Sequence, residues 1–384
     1  MSSPEAERLT AWGWGEHEQK HWSTMPADCV PARVTTRYPS SWRVALPVAG
    51  AEAAAGAEAA AGVEAGPGAG AEALVELSGA FQYRAAAPEE YPVVGDWVAL
   101  TPDLRLIQQV LPRRSWLSRQ EAGRAARAQV LAANIDIALL VFGLDGGRNF
   151  SVGLLERFLT LVSAGGVEPL VVLNKADCAA SEHIEAVQLQ VAAIQAATQA
   201  AVPVVLTSTR TGLGMEELRA LIPAGTSACC LGRSGVGKSS IMNALAGVEL
   251  MPTAEVSRVQ YKGRHTTSTS HLIMLQGGGM LIDTPGLREL QLWGTEDSLA
   301  QSFADIQEFA AECRFRNCQH QGEPGCAVQQ AAAEGVLPQQ RLEHYLEQRD
   351  ELSEATQRAQ MSADAYEKQK WKKITKDIRR LQRP

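Results

Sequence analysis

The run Gly232-Arg233-Ser234-Gly235-Val236-Gly237-Lys238-Ser239 has the residue types and spacing of a phosphate-binding loop. Backbone N–H groups of such a glycine-rich turn, continued by the first turn of a helix that here includes Ser240, surround a polyphosphate. Lys238 adds a point charge at the β and γ oxygens, and the Ser239 hydroxyl is a ligand for Mg²⁺. The loop follows the apolar run SACCLG and opens SIMNALAG, the strand–loop–helix setting that the chemistry requires.

A phosphate loop does not choose a base. Asn174-Lys175-Ala176-Asp177, at the end of PLVVLN, supplies that choice. The Asp177 carboxylate can accept from both N1–H and N2–H₂ of guanine. Adenine has no such donor pair and would leave the carboxylate unpaired. Sites of this kind discriminate by about 10⁴–10⁵. Thr207 and Ser208, after VPVVL, are expected behind the base as backbone contacts.

Asp283-Thr-Pro-Gly286 follows the strand-like MLI. Asp283 is placed to hold Mg²⁺ through water, and the Gly286 N–H to sense the γ-phosphate. Between the two phosphate motifs lies Gly263-Arg-His-Thr-Thr-Ser268, from which Thr267 is expected to complete the Mg²⁺ shell. Residues of about 250–270 then form a switch ordered by GTP and released on hydrolysis. Many GTPases orient water with a Gln directly after this glycine, where this chain has Leu287, which can neither orient nor polarise water. His265 is the nearest catalytic candidate by motif. An inert surface histidine is the other reading.

Separately, Cys313-x₄-Cys318-x-His320-x₅-Cys326 brings three thiols and an imidazole within 14 residues. That is a closed tetrahedral ligand set for one structural Zn²⁺, with no position left for chemistry. Cys29, Cys178, Cys229 and Cys230 have no partner at ligand spacing and read as buried or incidental.

The elements that must carry these motifs follow from hydrophobic period. From Ile135, apolar strands (IDIALLVFGL, PLVVLN, VPVVLTS, SACCLG) alternate with helical stretches near 151–164, 182–199 and 214–222. Ser151 can cap the first helix, with Leu154, Leu155, Phe158, Leu159 and Val162 on one stripe and Gly165/Gly166 as its stop. The pattern implies a parallel sheet covered on both faces. It is interrupted by one hairpin, HLIMLQ and MLIDTP joined through Gly277–Gly279.

Upstream, short strands at Ala32–Thr36, Trp42–Leu46, Leu74–Leu77, Ala80–Arg84 and Asp96–Leu100 suit a small β-barrel of OB type. Residues 49–73, an Ala/Gly/Glu run with little apolar bulk, read as a solvated loop insertion. The domains expected are an N-terminal extension (1–29), the barrel (30–112), a linker (113–134), the GTPase domain (135–293) and a zinc-binding helical domain (294–384).

Bulk properties set the partners. Net charge is −7, but residues 366–384 hold eight Lys/Arg against two Asp/Glu, a local +6 that leaves −13 on the rest. A basic end on an acidic body seeks phosphate locally while the body stays soluble. Seven cysteines, no leading apolar segment and no run long enough to span a bilayer imply a reduced cytoplasmic setting. Nothing points to an obligate interface, and a monomer is expected.

In chain order the guanine motifs run NKAD, TST, GRSGVGKS, GRHTTS, DTPG, whereas ordinary GTPases begin with the phosphate loop. The order is therefore circularly permuted. Followed by the Cys/His cluster, and preceded by LTAWGWGEH, PARV and VGDWV, it resembles the RsgA (YjeQ) family of small-subunit-dependent GTPases over nearly the whole chain. The resemblance implies an OB-fold, a permuted GTPase domain and a zinc domain. It also implies late maturation of the 30S subunit with hydrolysis stimulated by that subunit, and rRNA among the contacts. It makes Leu287 expected and His265 the suspected catalytic group. A permuted switch with a non-ribosomal partner, and a zinc/OB RNA-binding module with an inactive nucleotide site, are the alternatives. Intact Lys238, Ser239 and Asp283 argue against the second of these.

Overall fold

The computed structural model describes residues 3–47, 64–65, 71–85, 87–120, 128–146, 149–198, 201–247, 270–284 and 296–360. Helices α1 (Ser3–Ala11) and α2 (Glu16–Trp22) open the chain. Leu9, Trp12 and Trp14 bury themselves in one core with Trp97, Ile135 and Met280. The N-terminal stretch is thus packed between barrel and sheet.

The barrel is built from β1 (Val30–Arg37), β2 (Trp42–Leu46), β4 (Ala71–Leu77), β5 (Trp97–Leu100) and β6 (Leu106–Val110), with β3 (Glu64–Ala65) paired to β4. The order is β1-β2-β4-β6-β5, and β5 closes back onto β1, with β4 and β6 parallel. This is the five-stranded OB arrangement, with helix α3 (Gly79–Arg84) between its third and fourth strands.

That helix corrects the sequence expectation of a strand at Ala80–Arg84. GAFQYR alternates in polarity, but six residues are too few for period to decide. The Ser78 hydroxyl accepts from the Phe81 N–H at 3.1 Å and caps a helix instead. Phe81 then plugs the barrel core beside Val98 and Ile107. The true fifth strand, β6, is hidden in the sequence because only Ile107 of its five residues is fully buried.

Residues 113–134, expected as a connection, contain an antiparallel hairpin, β7 (Trp116–Gln120) with β8 (Ala128–Ala133). Then come β9 (Ile137–Gly143), α4 (Val152–Ala164), β10 (Glu168–Asn174), α5 (Ser181–Thr198), β11 (Val204–Leu206), α6 (Met215–Ala220), β12 (Ser227–Leu231), α7 (Lys238–Ala246), β13 (His271–Met274) and β14 (Met280–Asp283). The sheet order is β11-β10-β9-β12-β14-β13, parallel except for β13, which is antiparallel to β14. Successive β9 residues serve opposite faces: Leu140 and Phe142 pack with α4, Leu139 and Val141 with α6 and α7. Ser151 caps α4 as expected, its hydroxyl accepting from the Leu154 N–H at 3.2 Å.

Barrel and sheet are continuous. Thr36 on β1 pairs with His271 on β13, and its hydroxyl lies 3.1 Å from His271 Nδ1. Arg33, fully buried, donates to the Trp12, Gly95 and Asn134 carbonyls and to Ser227 Oγ, tying the N-terminal segment, the barrel and β12 into one body.

The C-terminal helices α8 (Glu296–Ser302), α9 (Ala304–Ala310), α10 (Ala327–Ala333) and α11 (Gln339–Gln360) have their own core around Phe303, Ile306 and Tyr345. They dock on α4, where buried Glu156 accepts from Arg341 at 2.6 Å and lies 2.5 Å from His344 Nδ1. No described helix is long and apolar enough to cross a membrane. The basic segment 366–384 lies outside the described residues, as does most of the Ala/Gly insertion.

Candidate nucleotide site and metal centre

The phosphate loop connects β12 to α7 at the carboxyl end of the sheet, where ligands of open α/β sheets bind. Two glycines there are enforced. Gly232 has φ +152° and lies against Val141, where a Cβ would sit 2.4 Å from the carbonyl oxygen. Gly237, at φ +101°, would bring a Cβ within 2.2 Å of Asn174 Nδ2. Lys238 turns its ammonium inward onto the Gly232 and Arg233 carbonyls, both at 2.7 Å, at the centre of the loop. Ser239 and Ser240 follow in the first turn of α7.

Asp283 ends β14, which runs parallel to β12 with Cys229 opposite Ile282. Its charge and that of Lys238 both act on the buried Cys230 thiol, which burial pushes up to about 12. The phosphate-loop lysine and the expected Mg²⁺ carboxylate therefore flank the ends of neighbouring strands. Thr267, His265, Gly286 and Leu287 lie outside the described residues.

The base-side motif is drawn onto the phosphate loop by hydrogen bonds. Asn174 is buried, donates to the Val236 carbonyl at 2.9 Å and accepts from Thr207 Oγ1 at 3.2 Å. Lys175 adopts φ +65°, a left-handed conformation that costs a non-glycine residue energy and that clusters at functional sites. Its ammonium reaches the Gly235 carbonyl at 2.6 Å. Ala176 is buried, and its N–H donates to the Thr207 carbonyl at 3.1 Å. The Ser208 hydroxyl donates to Asp177 Oδ1 at 2.6 Å, and that bond leads the causes holding the carboxyl below its usual range. Asp177 is thus kept as an anion, ready to accept. The hydroxyls of Thr207 and Ser208 thus bond the Asn174 and Asp177 side chains, and the Thr207 carbonyl bonds the Ala176 N–H.

In the C-terminal region the ligand atoms of Cys313, Cys318, His320 and Cys326 all lie within 4.8 Å of one another. Cys313 and Cys326 Sγ are 3.9 Å apart, and His320 Nδ1 is 3.7 Å and 3.4 Å from them. Ligands at roughly 2.3 Å (S) and 2.0 Å (N) around a tetrahedral ion have edges of about 3.5–3.8 Å, so the cluster fits a metal ion.

Family models described as RsgA GTPase and 50S ribosome-binding GTPase match residues 110–293 and 227–377. A curated relative from Syntrophotalea carbinolica, named small ribosomal subunit biogenesis GTPase RsgA, is 36% identical over 383 residues, covering 97% of each chain. One of the same name from Xylella fastidiosa is 39% identical over 354 residues, 91% of this chain and 97% of its own. The chain belongs to the RsgA GTPase family. The crystal structure of YjeQ from Thermotoga maritima superposes with a TM-score of 0.57 at 26% identity, over 84% of this chain and 98% of that one. That of YloQ, a circularly permuted GTPase, gives 0.56 at 23% identity over 85% and 96%, a likeness of fold.

Within this RsgA-family site, two residues escaped the sequence reading. Asp145, in the loop after β9, accepts from Lys175 at 2.5 Å and from Asn149 Nδ2 at 2.8 Å. The Lys175 bond holds its carboxyl below the usual range. Arg210, just past Thr207-Ser208, lies 2.8 Å from Asp177 Oδ2. An isolated Asp near glycines and a lone Arg in a polar loop have no spacing that marks them.

Proposed function

We propose that the chain hydrolyses GTP on the small ribosomal subunit during the subunit's late maturation, with hydrolysis stimulated by that partner. The observation that carries the reading is the joining of guanine motif to phosphate loop, Asn174 to Val236 and Lys175 to Gly235, beside an anionic Asp177. The curated relatives' names support the partner.

In this reading residues 232–240 bind the phosphates, and Asn174–Asp177 with Thr207 and Ser208 bind guanine. Ser239, Asp283 and Thr267 hold Mg²⁺, which neutralises charge developing on the phosphates. Gly286 senses the γ-phosphate and His265 handles the attacking water, since Leu287 cannot. Cys313, Cys318, His320 and Cys326 hold one structural Zn²⁺. Barrel (30–112), GTPase domain (135–293) and zinc domain (294–384) act together as an RNA clamp in a cytoplasmic monomer.

Co-sedimentation with purified small subunits tests it, using a non-hydrolysable GTP analogue against GDP and large subunits as control. Association with small subunits in the GTP state, with turnover stimulated by them and removed in Lys238→Ala, is expected. Equal sedimentation with neither subunit, or stimulation that survives Lys238→Ala, would overturn it.

A further inference from the structure

Arg314, Phe315 and Arg316, followed by Asn317, lie between the candidate metal ligands Cys313 and Cys318. All three are exposed, and Phe315 leaves 42% of its surface to solvent. The core of this region is made by Phe303, Ile306 and Tyr345, with Phe309 against it, and Phe315 takes no part in it. The Arg314 guanidinium lies 5.5 Å from the Phe315 ring centroid, a cation–π separation. Among the described residues, neither Arg314 nor Arg316 is held by a carboxylate.

The loop is held in place. The Arg314 N–H donates to the Gly325 carbonyl at 3.1 Å and the Cys318 N–H to the Phe315 carbonyl at 3.2 Å. A Cβ on Gly325, at φ +78°, would meet Arg314 Cβ at 3.0 Å, so the two segments are in close contact. Glu323, the acid inside the cluster, is turned onto the Gln319 and Gln321 N–H groups at 2.9 Å and 2.8 Å. It accepts from backbone and from the Cys318 thiol at 3.6 Å, and makes no ion pair with either arginine.

A half-exposed aromatic ring with the Arg314 guanidinium over one face, and Arg316 next in the chain, has the chemistry of a single-strand RNA platform on the ring's remaining surface. Bases stack on the ring while the guanidiniums meet the flanking phosphates. A duplex offers the phosphates but no free base face, and an acidic peptide has no use for the ring. We infer that Arg314-Phe315-Arg316 is a docking platform for an unpaired nucleotide of ribosomal RNA. This rests on the small-subunit reading above and adds to it the site and the kind of RNA engaged.

The test titrates the full chain, loaded with the GTP analogue, against small subunits at several salt concentrations. Phe315→Ala should weaken binding about tenfold, the size one stacked base carries, with an unchanged salt slope. Phe315→Trp should restore it. Arg314→Gln with Arg316→Gln should weaken binding and flatten the slope by about one to two counterions. Metal content and GTP affinity should stay constant in every variant. If wild type binds and Phe315→Ala binds equally well, the inference is overturned while the functional reading stands. Loss in the arginine pair alone also overturns it, pointing to duplex phosphates or an acidic protein segment. If wild type binds no subunit, the functional reading fails first and takes the platform with it.

Discussion

Lys175 places its ammonium 2.5 Å from Asp145 Oδ2 and 2.6 Å from the Gly235 carbonyl, bridging the guanine motif and the phosphate loop. Asp145 acts by fixing Lys175, itself one of the residues expected at the guanine. Both side chains are slightly under one-third exposed, so the pair is worth less than a buried one. Asp145→Ala should raise the Kd for GDP and the KM for GTP about fivefold, while kcat at saturation stays within about twofold. Titration and steady-state kinetics check this, and a fall in kcat with unchanged KM would sink it.

The C-terminal helices are locked to α4 by Glu156 and Arg341, whose side chains are 1% and 4% exposed. Arg341 also holds Asp305 at 2.5 Å and the Ser302 carbonyl at 3.0 Å. Removing one partner of a buried pair leaves the other's charge uncompensated, so Arg341→Ala should cost about 3–5 kcal/mol. Glu156→Ala with Arg341→Ala should cost clearly less than the two single losses added together. Urea unfolding of the four proteins measures the coupling, and strict additivity would show that the contact is not a pair.

Acid stability should depend on Asp136. Burial pushes its carboxyl up, but bonds and charge from Arg114, with the Ser227 N–H at 2.7 Å and hydroxyl at 2.9 Å, more than offset that. Its folded value therefore lies below the unfolded value of about 3.9, and the native state binds protons more weakly there. The contribution is full above about pH 5 and disappears as pH falls through the folded value. Asp136→Asn should lower the urea midpoint at pH 7, and the gap from wild type should narrow progressively as pH falls below about 4. A gap that does not narrow at all with falling pH would show that the carboxylate's charge is not what stabilises.

Local spacing made the phosphate loop, the guanine motif and the Cys/His cluster legible, because each is a contiguous run whose chemistry demands its residue types. Alternating apolar runs likewise announced β9 to β12 and their helices. Features set by tertiary contact were not legible. Trp12 and Trp14 look like isolated aromatics until they meet Trp97. Gln108 and Gln109 hide β6, and Asp145 finds Lys175 only because β9 and β10 are neighbours. Glu156 sits in a helix read for its apolar stripe, and nothing local shows that Arg341, almost two hundred residues on, will bury it.

Withdrawal of the metal should loosen the C-terminal helices and leave the nucleotide site intact. Cys326 both contributes a ligand atom and caps α10, its Sγ accepting from the Gln329 N–H at 3.4 Å. His320 holds φ +57° and its ring lies 6.3 Å from Tyr345, which packs on Phe303 at 5.4 Å. A metal held by these four residues would tie a strained loop to the helix core and neutralise the thiolates that ligate it. The sheet cores around Phe142 and Leu139 share no residue with that of Phe303. Chelation, or Cys318→Ser, should split thermal unfolding into two steps by lowering the C-terminal one, with GDP affinity changed less than twofold. Purified protein should carry one metal ion per chain. Well under one equivalent in protein never exposed to chelator, or one unshifted unfolding step after chelation, would leave the cluster without a structural role.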